Sequence, residues 1–319
     1  MSLGEFELIQ RYFSGASSDA SVALGIGDDC AVLSIPEGMQ LAVSIDTLVQ
    51  GTHFLEGTSA DLLASRLFGS ALSDLAAMGA SPAWLTLALT LPEADEDWLQ
   101  LFSHRLSELC AEYSVSLVGG DTTKGPLTLS AQVHGFVPNG QRLTRSGAHV
   151  GDLICVSGSL GDSRGGLEGL LKGFENDTYA EELLQRFYAP IPRIELGKTL
   201  LDKASSCIDI SDGLLSDLAH ILKASGQLGA RLQLEALPLS KALVSTFGEE
   251  NARQWALTGG EDFELCFTLA PEYLPLLNQL QTIVTVVGSI TPTAKVELYL
   301  RGEKCEIQGS GYNHFHSNN

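Results

Sequence analysis

Apolar and polar positions change period repeatedly along this chain. In residues 5–13, EFELIQRYF, the positions Phe6, Ile9 and Phe13 recur at helical spacing. LAVSID at 41–46 and WLTLALTL at 84–91 read as strands. Between them, residues 60–78 predict a helix opened by Ser59 and ended near Gly79 and Pro82. A second helix is predicted over about 95–113, after Pro92, and SVSLV at 114–118 and LTLSAQVHGFV at 127–137 return to strand. In WLTLALTL and LTLSAQVHGFV both alternate positions carry bulk, which predicts a sheet covered on two faces. Residues 138–151, PNGQRLTRSGAHVG, break the pattern and mark a domain junction. Beyond it come a strand from 152 and helices near 163–173, 180–188 and 194–203. SCIDI is then a strand leading into the helix start SDGLLSDLAHILKA, followed by RLQLEAL, a helix near 240–254, FELCFTL, a helix from 271, TIVTVVG and VELYL. The alternation predicts an α/β (α+β) chain of two domains, 1–140 and 148–319. Ser-Asp-Leu-Ala occurs at 73–76 and again at 216–219, a hint of related halves.

Composition narrows the possibilities. The length of 319 residues suits two domains, and 44 % hydrophobic with 18 % charged residues supports a sizeable core rather than disorder. A formal charge of −20 argues against a nucleic-acid surface, which needs basic patches. No stretch approaches the roughly 18 apolar residues of a membrane span, and MSLGEFELIQRYF lacks a secretory pattern, so a cytoplasmic protein is expected. The cysteines at 30, 110, 155, 207, 266 and 305 form no CxxC pair, so neither a zinc site nor a disulfide framework is expected. Cys207 and Cys266 read as small buried hydrophobes, and Cys30, leading into AVL, is expected to be buried too.

The candidate chemistry is acidic. GIGDDC (Asp28, Asp29), VSIDTL (Asp46), LVGGDTT (Asp121), IDISDG (Asp209, Asp212) and LTGGEDFEL (Glu261, Asp262) share one design: an apolar run, a small residue, then an acid. Asp74 adds a carboxylate on a helix. A single acid after a strand is ordinarily a turn or cap residue. Recurrence favours convergence, because ligands sit beyond the carboxyl ends of strands in α/β sheets. Converging carboxylates repel by about 4 kcal/mol per pair at ~4 Å and need cations. Oxygen-only donors suit Mg²⁺, which takes further ligands from substrate phosphates. Acids, several Mg²⁺ ions and glycine-rich turns together point to phosphoryl transfer. Gly197-Lys198-Thr199 resembles the end of a P-loop, but Pro192 stands where that motif requires glycine. Among 19 basic residues, Lys124, Arg142 and Arg145 follow acidic or glycine-rich motifs, and an arginine there suits a polyphosphate clamp. His53 follows the Asp46 strand, and Tyr312 in GYNHF suits stacking on a flat heterocycle or pinning the tail.

GEFELIQRYF, GIGDDCAVL, DTLVQGTHF, LSDLAAMGASPAWLTLALTLP, GGDTT, HGFVP, LTRSGA, GDLICVSG, IDISDGLLSDL, GGEDFELCFT and GYNHF, in this order over about 4–316, resemble the thiamine-monophosphate kinase family. That family lies in the superfamily of aminoimidazole-ribonucleotide synthetase. The resemblance implies a two-domain PurM-like fold whose N-terminal domains pair in a homodimer. It implies transfer from ATP, the co-substrate, to thiamine monophosphate. It places metal ligands at Asp29, Ser44, Ile45, Asp46, Asp74, Asp121, Asp209 and Asp212, with Ile45 able to serve only through its backbone. Nucleotide contacts fall on Gly120, Asp121, Arg145 and Ser211, and acceptor contacts on His53, Glu261 and Tyr312. Asp29, Asp121, Arg145 and Asp212 are thereby the candidate catalytic set. Other ATP-using members of the superfamily, and a Mg²⁺-dependent phosphatase using the same acids, remain as alternatives.

Overall fold

Period-two alternation over three long segments builds the first sheet. The computed structural model describes residues 4–13, 19–175 and 177–305, and the chain divides into two units. Unit 1 comprises Met1–Leu75 and Ala80–Gly140; unit 2 comprises Ala76–Gly79 and Gln141–Asn319. The first nine elements are α1 (Glu5–Tyr12), β1 (Val22–Leu24), β2 (Val32–Leu33), β3 (Met39–Val49), α2 (Ala60–Ala77), β4 (Ser81–Leu91), α3 (Glu96–Glu112), β5 (Ser116–Lys124) and β6 (Thr128–Pro138). Strands order β3-β6-β4-β5, with β4–β5 parallel and the other pairs antiparallel. Helix α3 starts where Asp95 accepts the Asp97 and Trp98 N–H groups at 3.0 and 3.1 Å, a side-chain N-cap.

Along β6, Leu129, Ala131, Val133 and Val137 are buried, whereas Ser130, Gln132, His134 and Phe136 are half-buried. The bulk at both alternate positions therefore does not mean two equally covered faces. The second face is covered in part by the β1–β2 hairpin. Val22 and Leu33 pack on the Trp84 cluster there, with Phe136 edge-on to Trp84 at 5.0 Å. The Trp84 indole N–H donates to the Ser21 hydroxyl at 2.9 Å. Leu41, Val43 and Ile45, which pair with Phe136, His134 and Gln132, lie on this same face and are 39, 51 and 60 % exposed.

Unit 2 contains β7 (Leu153–Ser157), α4 (Asp162–Lys172), α5 (Ala180–Tyr188), α6 (Ile194–Leu200), β8 (Ala204–Asp209), α7 (Leu214–Ala224), β9 (Gly229–Gln233), α8 (Lys241–Thr258), β10 (Leu265–Leu269), α9 (Leu274–Leu277), β11 (Val284–Thr291), β12 (Val296–Leu300) and β13 (Glu303–Cys305). Its sheet runs β13-β12-β9-β11-β7-β10-β8, parallel only at β12–β9. Ile154, Val156, Ile208, Ile210, Leu218 and Leu232 share its core. The segment from 271 departs from expectation: a single 3-10 turn precedes a four-residue helix. Pro271 and Pro275 fit only the first turns of such pieces. The repeated Ser-Asp-Leu-Ala string does not mark related halves. Its first Asp lies near the end of α2, whereas Asp217 lies in the first turn of α7.

Cys110, Cys155, Cys207 and Cys266 are buried free thiols, and burial pushes Cys110 and Cys155 up to about 12. Cys30 is exposed, contrary to expectation, because it lies in the loop between β1 and β2 rather than in a core strand. Among the described residues no helix is long and apolar enough to cross a membrane.

Candidate active site

In unit 1, residues 44–46 stand on β3, an edge strand. The strand pleat sends Ser44 and Asp46 to one face and Ile45 to the other. The Ser44 hydroxyl donates to the Asp74 carboxylate of α2. Ile45 offers this group only its backbone, since its side chain is on the exposed face. Asp29 is exposed in the β1–β2 loop, its N–H donated to Asp28 at 2.9 Å. Gly120 and Asp121 lie on β5, at the opposite edge of the sheet. Three strand spacings, roughly 14 Å, separate β5 from β3. Register places Asp46 opposite Ala131 and Asp121 opposite Ala88, so their side chains leave opposite faces. A Cβ on Gly120 would stand 1.9 Å from the Leu87 carbonyl oxygen, so no side chain fits there.

His53 follows β3, and its Nδ1 accepts the Val49 N–H at 3.0 Å. The neutral ring therefore carries its proton on Nε2. The His53 carbonyl accepts from the fully buried Arg66 at 3.1 Å. Arg66 carried no signal in the sequence beyond its charge inside an apolar helix.

In unit 2, Arg145 is exposed on a backbone that is pinned at both sides. Leu143 and Cys207 N–H groups donate to the Met78 and Thr144 carbonyls, and the Ser225 hydroxyl accepts the Gly147 and Ala148 N–H groups. Asp209 ends β8, and Ser211 and Asp212 follow it before α7. One oxygen of Asp217 gathers the N–H groups of Ser211, Asp212 and Gly213 at 3.1, 3.1 and 3.0 Å. Burial pushes Asp217 up to about 7, against those N–H bonds and helped by the Asp212 charge. Glu261 has a left-handed backbone, φ +66°, and donates its N–H to the Ser211 carbonyl at 2.8 Å. The expected nucleotide contact and the expected acceptor contact are thus one backbone hydrogen bond apart.

A buried ionic cluster lies behind this loop. Glu264 accepts from Arg186, Arg193 and the Ser157 hydroxyl at 2.5–2.7 Å. Burial alone would raise Glu264, but the two guanidiniums hold it below the usual carboxylate range. Removing one partner of such a cluster costs about 3–5 kcal/mol. Asp262 caps α4 through the Gly161 and Ser163 N–H groups, and burial pushes it up to about 8. Asp217 lies in IDISDGLLSDL and Asp262 and Glu264 in GGEDFELCFT, yet only tertiary contacts reveal their work. Tyr312 lies outside the described residues.

The donors expected to hold a cation are all oxygens, which fits Mg²⁺. Among the described residues no three His, Cys, Asp or Glu side chains converge closely enough to hold a metal.

A family model, AIR synthase related protein, N-terminal domain, matches residues 27–137. Over its whole length the chain is similar to thiamine-monophosphate kinase of Escherichia coli K12, 50 % identical with 99 % of each chain covered. The solved thiamine-monophosphate kinase of Stenotrophomonas maltophilia K279a superposes with a TM-score of 0.86 at 42 % identity, covering 96 % of this chain and 99 % of that one. AaThiL complexed with AMPPCP and TMP superposes at 0.78 with 32 % identity, covering 91 and 92 %.

Proposed function

The chain belongs to the thiamine-monophosphate kinase family, and from that premise we propose that it transfers the γ-phosphoryl group of ATP to thiamine monophosphate, giving thiamine diphosphate and ADP. Its α/β (α+β), two-unit fold is the PurM-like one of that family. The observation that carries the reading is the similarity to AaThiL in complex with an ATP analogue and TMP.

Asp29, Ser44, Asp46, Asp74, Asp121, Asp209 and Asp212, with the Ile45 carbonyl, are the residues to hold Mg²⁺, shared among more than one ion because Asp46 and Asp121 leave opposite faces of their sheet. When bound, Mg²⁺ neutralises polyphosphate charge. Gly120, Asp121, Arg145 and Ser211 take the nucleotide. His53 and Glu261 take the acceptor together with Tyr312. The acceptor is already an anionic phosphate, so no general base has to activate it. Repulsion between two anions is the barrier, and the exposed Arg145 guanidinium on its pinned loop is suited to lower it. Holding both reactants beside the joined Ser211 and Glu261 segments supplies proximity. Transfer is then a single in-line displacement, with Asp29, Asp121, Arg145 and Asp212 as the catalytic set. The protein works in the cytoplasm as a homodimer joined through its N-terminal unit.

One experiment tests reaction and stereochemistry together: ATP made chiral at an isotopically labelled γ-phosphorus, with Mg²⁺, in the presence and absence of thiamine monophosphate. ADP is expected only with acceptor, and the thiamine diphosphate formed carries inverted phosphorus. ADP released without acceptor supports a phosphatase, and retention requires a phosphoenzyme; either result overturns the reading.

A further inference from the structure

Glu261 and Phe263 both have left-handed backbones, φ +66° and +50°, without being glycine. That conformation is unfavourable for residues with side chains and persists where the surroundings over-determine it. Between them Asp262 turns inward and is 3 % exposed. Its Oδ2 accepts the Gly161 N–H at 2.6 Å, and its Oδ1 accepts the Ser163 N–H at 3.2 Å. On the opposite side of the turn, the Glu261 and Phe263 N–H groups donate to the Ser211 and Ile210 carbonyls at 2.8 and 2.9 Å. Glu261 therefore stands on a backbone held from two directions.

We infer that Asp262 is a positioning residue for the acceptor substrate. By anchoring on the first turn of α4, it fixes the turn that presents Glu261 beside Ser211. The inference rests on the proposal that Glu261 contacts thiamine monophosphate. Its chemistry is specific, because each oxygen of Asp262 serves a different N–H. A carboxyl oxygen keeps a lone pair for that N–H whether or not the group is protonated; an amide nitrogen has none. The isosteric Asp262→Asn therefore sets donor against donor at one of the two bonds. Asp217 is the contrast. A single oxygen takes all three of its N–H groups, so Asp217→Asn can retain its acceptor.

The test is a double-mutant cycle on the full chain with Mg²⁺, ATP and thiamine monophosphate as probes. Asp262→Asn is expected to raise the acceptor KM on the order of tenfold or more. The KM for ATP should stay unchanged, and Asp262→Asn should add nothing when Glu261→Ala is already present. Additive effects, or equal rises in both KM values, remove the positioning role. An acceptor KM that Glu261→Ala leaves unchanged removes the substrate role of Glu261 itself, and this inference with it. If Asp262→Asn does not fold, Asp262→Glu makes the same comparison. It keeps two acceptor oxygens but displaces them by one methylene from the Gly161 and Ser163 N–H groups.

Discussion

Asp212 and Asp217 lie five residues apart and meet opposite environments. Asp217 is buried with one oxygen occupied by three N–H groups, so its loss unpins the loop. Asp212 contributes its N–H to that arrangement, and its negative charge raises the neighbouring Asp217. Asp212→Asn is therefore expected to cut turnover on the order of 100-fold or more, with the melting temperature of the ligand-free protein unchanged or raised. Turnover and a thermal melt of the same preparation check this; a variant that melts early would make Asp212 structural. The difference between the two acids marks the limit of sequence reading. Asp29, Asp46, Asp121, Asp209 and Asp212 are legible because an acid follows an apolar run and a small residue. Asp217, Asp262 and Glu264 have the same letters, but their roles depend on backbone N–H groups and guanidiniums brought in by other elements. Arg186 and Arg193 precede Glu264 by 78 and 71 residues, and nothing local announces them.

Element boundaries follow the same division between local and distant causes. Six positions of β3 were legible as LAVSID, yet the strand runs from Met39 to Val49 because β6 pairs with every one of its positions. Helix α8 shows the reverse, a long segment that local chemistry interrupts. Gly248 adopts φ +80° and ψ 159°, a region essentially reserved for glycine, and so divides Lys241–Thr258 into two helical pieces. No heavy atom within 4 Å would meet a Cβ there, which isolates the backbone effect from packing. Gly248→Ala is thus expected to destabilise unit 2 by on the order of 1–3 kcal/mol, read from urea unfolding at an unchanged slope. A variant as stable as the parent would mean that the helix runs unbroken through 248, with alanine favoured there.

Association belongs to the whole molecule, and the sign of its salt dependence distinguishes the possible causes. Met39, Leu41, Val43 and Ile45 form an apolar row on an eleven-residue edge strand and are 39–60 % exposed. A long apolar edge of this kind is an aggregation site unless something covers it. A second copy is the occupant we propose, the same face of unit 1 meeting itself about a two-fold axis. Fully burying such side chains contributes about 1.5–3 kcal/mol each, and correspondingly less where they begin half-covered. Charge opposes the pairing, because each chain carries −20. Salt screens repulsion between like-charged copies, with a Debye length of about 8 Å at physiological ionic strength. The dimer should therefore tighten as salt rises, whereas an interface held by ion pairs would loosen. Light scattering at micromolar concentration is expected to return twice the chain mass of 33.9 kDa. Val43→Glu should shift it to the single-chain mass with the far-UV circular dichroism unchanged. A parent protein that scatters as one chain at high salt would reject the homodimer, and a Val43→Glu variant that remains paired would move the interface off β3.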